Sequence, residues 1–332
     1  MSIEPSPEDL LIARFFKPLA SHRGALGLSD DAAFFTPPAG QDLVLTTDAI
    51  RTGVHFLPDD PPADVARKAL RVNLSDLAAK GAEPAGFLLS VALPADLDFA
   101  WLERFCAALA EDAAHFRCPL LGGDTDRTNE GLAVTIFAFG LLPRGSMVRR
   151  AGARPGDRVA VSGAIGEATL GLRLARDRAL ARRWSLTDSE RDALIARYRV
   201  PQPRTALAGL LRAHAHAAMD ISDGLAGDLA KLCRVSGITA AIEAARVPLS
   251  AAACKALAAE PGLLPAVLSG GDDYEILCAV APDRWERFAA EAAASGIAVT
   301  AIGTFAGGNA APRLLAPDGR PLVFASPSYS HF

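Results

Sequence analysis

The sequence predicts an α+β protein in two domains, with helices packed against sheets. Three observations carry this. The chain has 332 residues, 50% of them hydrophobic and 22% charged, a globular composition with length for two cores. Its first half alternates strand-like and helix-like runs in the order β-α-β-α-β. A Gly/Pro-punctuated segment, RRAGARPGDRV (149–159), interrupts the pattern and reads as the domain junction.

The elements follow in order. Residues 1–22, with LLIARFF, are expected to be a helix before a loop. AAFF (32–35) and LVLTTD (43–48) read as strands. DVARKALRVNLSDLAAKG (64–81) reads as a helix with Gly81 in the stop position. FLLSVAL (87–93) is a predicted strand, FAWLERFCAALAEDAAHF (99–116) an amphipathic helix and LAVTIFAFGLL (132–142) a further strand, too short to span a bilayer. Beyond the junction, RVAVSG (158–163) is strand-like, and the Arg-rich stretch 167–200 is helical with a solvated face. HAAMDIS (216–222) reads as a strand. In SDGLAGDLAKLC, Ser222 is predicted to cap a helix whose Leu225, Leu229 and Leu232 share an apolar face. VLSGGDDYEILCAV (267–280) reads as strand, glycine-rich turn, strand.

Composition excludes several classes. The formal net charge of −4 leaves no basic footprint for nucleic acid. The five cysteines form no C-x-x-C pair, so zinc ribbons and thioredoxin chemistry have no support, and reduced thiols in a cytoplasm are expected. MSIEPSPEDL has acids and prolines where a signal peptide needs basic and apolar residues. P-loop, G-x-G-x-x-G and H-E-x-x-H patterns are absent, and His214 and His216 read as structural.

What recurs is aspartate at strand ends and in glycine turns: SDD (29–31), TTD (46–48), NLSD (73–76), GGDTD (122–126), DISD (220–223) and GGDD (270–273). Any one of these alone is ordinary turn chemistry, and Asp59-Asp60 is read as a chance pair. Asp76 falls on a helix with Asn73 and Lys80 on the same polar face. As a set, oxygen ligands without paired His or Cys favour a hard cation, Mg²⁺ above all, arriving with a polyphosphate. VSGAIGEATLGL (161–172) runs strand, glycine turn, helix, and its amides could face an anion.

TTDAIRTGVHF (46–56), ARKALRVNLSDLAAKGAEP (66–84), GGDTDR (122–127), MDISDG (219–224) and SGGDDYE (269–275) together resemble the thiamine-monophosphate kinases, of the aminoimidazole ribonucleotide synthetase superfamily. The resemblance runs from about residue 8 to SYSHF (328–332). It implies two domains, each a mixed sheet with helices on one face: 1–148 for Mg-ATP binding and dimerisation, 149–332 completing the phosphate and substrate site. It implies transfer of the ATP γ-phosphoryl to thiamine monophosphate, several Mg²⁺ ions, a homodimer paired through the amino-terminal sheets, and no catalytic general base.

By motif, the resemblance makes Asp31, Thr46, Thr47, Asp48, Asp76, Asp124, Asp220 and Asp223 metal ligands. Gly123, Asp124, Arg150 and Ser222 would contact ATP, and His55, Asp272 and Tyr329 the thiamine substrate. Two departures stand out. Ser29 replaces the second glycine of Gly-x-Gly-Asp-Asp, a residue with less backbone freedom. Asp272 replaces a glutamate, shortening that contact by one methylene.

Two other kinds of function compete. One is a different ATP-dependent enzyme of the superfamily: aminoimidazole ribonucleotide synthetase, selenophosphate synthetase or the hydrogenase-maturation dehydratase. Cys106 as first cysteine and the Tyr-Ser-His-Phe ending disfavour the last two. The other is an inactive nucleotide or thiamine-phosphate binding module, which Ser29 alone encourages.

Overall fold

The computed structural model describes residues 6–316, 318–326 and 328–329. The first five residues of the predicted 1–22 helix and the 330–332 end of SYSHF lie outside them. The chain divides into two compact units: residues up to Leu77 with Ala82–Gly145, and Ala78–Gly81 with Ser146 onward.

The first unit holds a four-stranded sheet of β1 (Gln41–Arg51), β2 (Glu83–Pro94), β3 (Leu120–Thr128) and β4 (Ala133–Pro143), in the order β1-β4-β2-β3. β4 pairs antiparallel with β1 and β2, whereas β2 and β3 run parallel, so the sheet is mixed. Residues of β2 and β4 alternate between core and surface: Phe87, Leu89, Val91, Val134, Ile136 and Ala138 are buried. The helices Pro62–Ala79 and Phe99–His115 bury Leu70, Leu74, Leu77, Leu102 and Leu109. Gly81, at φ 75°, ends the first of them, the left-handed stop that glycine tolerates.

The second unit holds a six-stranded sheet in the order β10-β7-β9-β5-β8-β6. Its strands are β5 (Arg158–Ser162), β6 (Ala215–Ile221), β7 (Ile238–Glu243), β8 (Glu275–Val280), β9 (Val299–Gly307) and β10 (Arg313–Leu315). Within this sheet only the β10–β7 pair is parallel among the described strands. Leu225, Leu229 and Leu232 of the helix Leu225–Ser236 cluster with Val159, Met219 and Leu277. Ala160, Ala218 and Cys278 point the other way and cluster with Leu211 and Phe288. Apolar residues on alternate positions of this sheet therefore fall into two clusters.

Other expectations change locally. AAFF (32–35) is not a strand: Phe34 donates one backbone bond to Gly24, and Phe35 packs edge-on against Phe139 at 4.9 Å. The first helix is short, Pro7–Leu11, and gives way to a wider turn over Ile12–Phe16. VLS closes the helix Leu264–Ser269 and is not a strand. GGDTD, read as a turn, lies inside β3. Cys106, Cys118, Cys233 and Cys278 are buried and Cys254 is exposed. Burial pushes the Cys106, Cys118 and Cys278 thiols up to about 12 and Cys233 to about 11.

Candidate functional site

In the first unit, β3 and the 28–33 segment border a cavity of about 680 Å³. Its polar lining includes Glu8, Asp30, Asp31, Ser90, Asp124 and Thr125, with Gly123 between them, and Ile12, Phe16, Leu28 and Phe137 form part of an apolar wall. Gly123 is dictated by closeness, because a Cβ there would lie 1.8 Å from the Leu89 carbonyl oxygen across the parallel pair. Register puts Asp124 opposite Ser90, and Ser90 opposite Thr135. Ser29, at the cavity's edge in sequence, has φ −117° and donates its hydroxyl to the Leu26 carbonyl at 2.7 Å. It needs no glycine angle, so this departure removes nothing from the loop.

The predicted ligands of β1 divide by face. Thr46 donates to the Asp76 carboxylate at 2.5 Å, and Asn73, fully buried, accepts the Asp48 amide at 2.9 Å. Thr47 lies on the opposite face from Thr46, as strand alternation requires, with its hydroxyl on the Ile136 carbonyl at 3.1 Å. The same pairing sets Ala49, Thr135, Ser90 and Asp124 in one row on Thr47's face. Thr46 and Asp76 are thus brought together, as are Asp31, Gly123 and Asp124. Among the described residues no group of three or more His, Cys, Asp or Glu is already gathered as a metal site.

His55 lies in the turn after β1. Its Nδ1 accepts the Arg51 amide at 3.1 Å, and its carbonyl accepts Lys68 Nζ at 2.7 Å. Lys68 is 1% exposed, a buried cation from the middle of a helix. Nothing local in ARKALRVNLSDLAAKGAEP marks Lys68 as buried. Asp60, read as half of a chance pair, is buried and accepts the Leu57 amide at 2.8 Å.

In the second unit, β6 ends in the acidic turn. Asp220 is buried, and Ser222 and Asp223 both donate their amides to Asp228 Oδ2 at 3.0 Å. Ser222 therefore does not cap the helix. The helix starts after Gly224, at φ 105°, and Asp228 reaches back from within it to hold the turn. Burial pushes the Asp228 carboxyl up, while Lys231 pulls it down through a 2.8 Å bond. Lys231 also bonds Asp223. Burial works against its charge, but bonds to Asp223 and Asp228 outweigh that and raise the ammonium above its ordinary value.

Backbone bonds draw two more predicted residues to this turn. Asp272 donates its amide to the Ser222 carbonyl at 2.9 Å, and Tyr329 its amide to the Asp223 carbonyl at 3.0 Å. Arg150 is exposed beside Arg149, whose carbonyl accepts the Ala218 amide at 2.9 Å. The amides of the 163–168 turn do face an anion, but it is the chain's own Asp273, bonded by Gly166 at 2.7 Å and Ala168 at 3.3 Å. Burial pushes the Asp273 carboxyl up to about 8, against the pull of those amides. Glu275, fully buried, accepts Ser162 Oγ at 2.5 Å, Arg204 Nε at 2.6 Å and Arg197 at 2.7 Å. His214 and His216 pair with Glu291 at 2.8 Å and Asp157 at 2.9 Å, structural roles as expected.

Comparison with known proteins adds to this geometry. Residues 29–142 match the family "AIR synthase related protein, N-terminal domain" and residues 154–311 its C-terminal domain. A thiamine-monophosphate kinase of Caulobacter vibrioides is 45% identical over 304 residues, 90% of this chain and 84% of that protein. The crystal structure of a thiamine-monophosphate kinase from Stenotrophomonas maltophilia K279a superposes with a TM-score of 0.83 at 35% identity, covering 95% of this chain and 98% of that one. A structure of AaThiL complexed with AMPPCP and TMP has a TM-score of 0.76 at 31% identity, with both chains fully covered.

Proposed function

The chain belongs to the thiamine-monophosphate kinase family of AIR synthase related proteins, and from that premise we propose how its residues carry the reaction. The activity is ATP-dependent phosphorylation of thiamine monophosphate to thiamine diphosphate. The observation that carries our reading is the oxygen-only chemistry of the carboxylates around Gly123 and at the end of β6.

These donors fit a hard divalent cation. Asp31 and Asp124 border one cavity, Thr46 and Asp76 are already hydrogen-bonded, and none of these side chains is a soft ligand. In the first unit Asp31, Thr46, Thr47, Asp48, Asp76 and Asp124 would hold Mg²⁺, and in the second Asp220 and Asp223. Thr47 keeps a lone pair while its hydroxyl donates to Ile136. Bound Mg²⁺ supplies charge neutralisation between phosphates that otherwise repel by roughly 4 kcal/mol per pair of unit charges at 4 Å.

The chain's own groups then position the reactants. Gly123 lets backbone approach ATP phosphates where a side chain would collide with Leu89. Arg150 offers a planar fork of donors to a phosphate, and Ser222 a hydroxyl. On the acceptor, His55 and Asp272 take polar contacts and Tyr329, 49% exposed, a ring face. No general base is required, since a phosphate monoester with a second pKa of about 6 is already a dianion near neutrality. Residues 1–148 are assigned to Mg-ATP and dimer contacts, and 149–332 to the remaining phosphate and substrate contacts.

The dimer assignment has support from exposed apolar residues on one face of the first sheet: Leu43, Leu45 and Leu88 are 41%, 54% and 37% exposed. We place the reaction in the cytoplasm, where five unpaired thiols stay reduced. No single helix among the described residues is long and apolar enough to cross a membrane. The test is ADP release from Mg-ATP with thiamine monophosphate, with thiamine as control acceptor. Turnover with the phosphate ester and little with thiamine is expected; tight binding of both ligands without turnover would favour the inactive module.

A further inference from the structure

We infer that Asp273 is a positioning residue for Asp272, fixing the direction in which the substrate-facing carboxylate leaves the 270–274 turn. The inference rests on the assignment of Asp272 to thiamine monophosphate made above.

The turn has an unusual backbone. Asp272 has φ 72° and Tyr274 φ 50°, left-handed angles for residues with a Cβ, on either side of Asp273. Such angles are strained for residues with a Cβ and persist only where surroundings over-determine them. One set of restraints is backbone: Asp272 to the Ser222 carbonyl at 2.9 Å and Tyr274 to the Ile221 carbonyl at 2.8 Å. Gly271 lies so close to the same strand end that a Cβ would meet the Ser222 oxygen at 2.4 Å. These bonds tie the turn to the end of β6.

Side chains on the inner side add a second set of restraints. Asp273 is 4% exposed and grips the start of the helix Glu167–Arg176 with both oxygens, through the Gly166 and Ala168 amides. That helix start cannot shift easily, because Gly166 at φ 82° packs where a Cβ would lie 2.2 Å from Val267. Two residues on, Glu275 is locked by Ser162, Arg197 and Arg204. With Asp273 anchored on one side of it and its own amide on the Ser222 carbonyl, Asp272 is held at φ 72° by its neighbour and by β6. Asp273 touches none of the reacting groups assigned above; its effect passes through Asp272.

The experiment is steady-state kinetics on the full chain with Asp272→Ala, Asp273→Ala, Asp273→Ser and Asp273→Asn, each checked by thermal melting. Asp273→Ala is expected to raise KM for thiamine monophosphate about 10-fold or more, with kcat and KM for ATP changed by less than about 3-fold. Asp273→Asn keeps an acceptor for the Gly166 amide and should return KM to within about 3-fold of the parent. Asp273→Ser, whose shorter arm cannot span both amides, carries the test if the alanine variant does not fold. A raised KM in Asp272→Ala with an unchanged KM in folded Asp273→Ala or Asp273→Ser would overturn the positioning role alone. An unchanged KM in Asp272→Ala would overturn the substrate assignment and the inference with it. Parallel loss of kcat and both KM values in the Asp273 variants would reduce Asp273 to a general stabiliser and also overturn it.

Discussion

Thr46 and Asp76 stand 30 residues apart in the chain, and the hydroxyl of one donates to the carboxylate of the other at 2.5 Å. A strand residue thereby fixes the rotamer of a helix residue on the face where the first unit presents Asp48. Asp76→Asn removes a charge proposed to balance Mg²⁺, and Thr46→Val removes its orienting donor. The expected losses in kcat/KM are at least about 100-fold for Asp76→Asn and about 10–100-fold for Thr46→Val. ADP release measured across a Mg²⁺ titration checks both. Raising Mg²⁺ should partly restore the valine variant, and full activity of Asp76→Asn at low Mg²⁺ would refute the ligand assignment.

Gly123→Ala should damage the fold as well as the site. Its Cβ would come within 1.8 Å of the Leu89 oxygen, so β2 and β3 must separate. A loss of about 1–3 kcal/mol is expected from urea unfolding, together with weaker ATP binding by calorimetry. Gly145→Ala is the contrast: Gly145 has φ 75°, but nothing lies within 4 Å of its Cβ, so only backbone strain is felt there.

Asp273 also predicts a pH dependence. Its ordinary value of 3.8 is pushed up to about 8 by burial in the folded chain. Between those values the folded state binds the proton that the unfolded state has released. Stability contributed by the neutral acid is therefore present below pH 4 or so and is lost as pH rises toward about 8, with a slope of up to roughly 1.4 kcal/mol per pH unit. Melting temperature recorded from pH 5 to 9 should fall and then level off. Asp273→Asn should flatten that fall, and an identical slope in the variant would assign it to other groups.

Leu45→Lys tests the dimer proposal. A charge on the exposed face at a position 54% exposed should cost the folded monomer little. Sedimentation velocity is expected to show a dimer for the parent chain and a shift toward monomer for the variant. An unchanged dimer would move the interface elsewhere.

Sequence periodicity made β1, β2, β4 and the helix Phe99–His115 legible, because each alternates or repeats its apolar residues against a single core. β3 was hidden: GGDTD has turn chemistry, and Gly123 is in a strand through its pairing with Leu89, a fact of tertiary packing. Ser222 looked like a cap, yet Asp228, four residues into the helix at Leu225–Ser236, holds the turn from inside. The family resemblance singled out Asp272 and Tyr329, and backbone bonds bring both to the Ser222-Asp223 turn. Lys68 and the partners of Glu275 were not legible, since a buried charge reads locally like any surface lysine or arginine until its partner, distant in sequence, is known.

The single exposed thiol among five has a practical corollary. Cys254, on the helix Ala251–Ala259, offers a maleimide dye one address on the native enzyme, with no engineered cysteine needed. The remaining four stay silent while the cores hold. Counting how many sulfhydryls a chromogenic reagent can titrate then becomes a clock for unfolding, one equivalent when native and five when the chain opens.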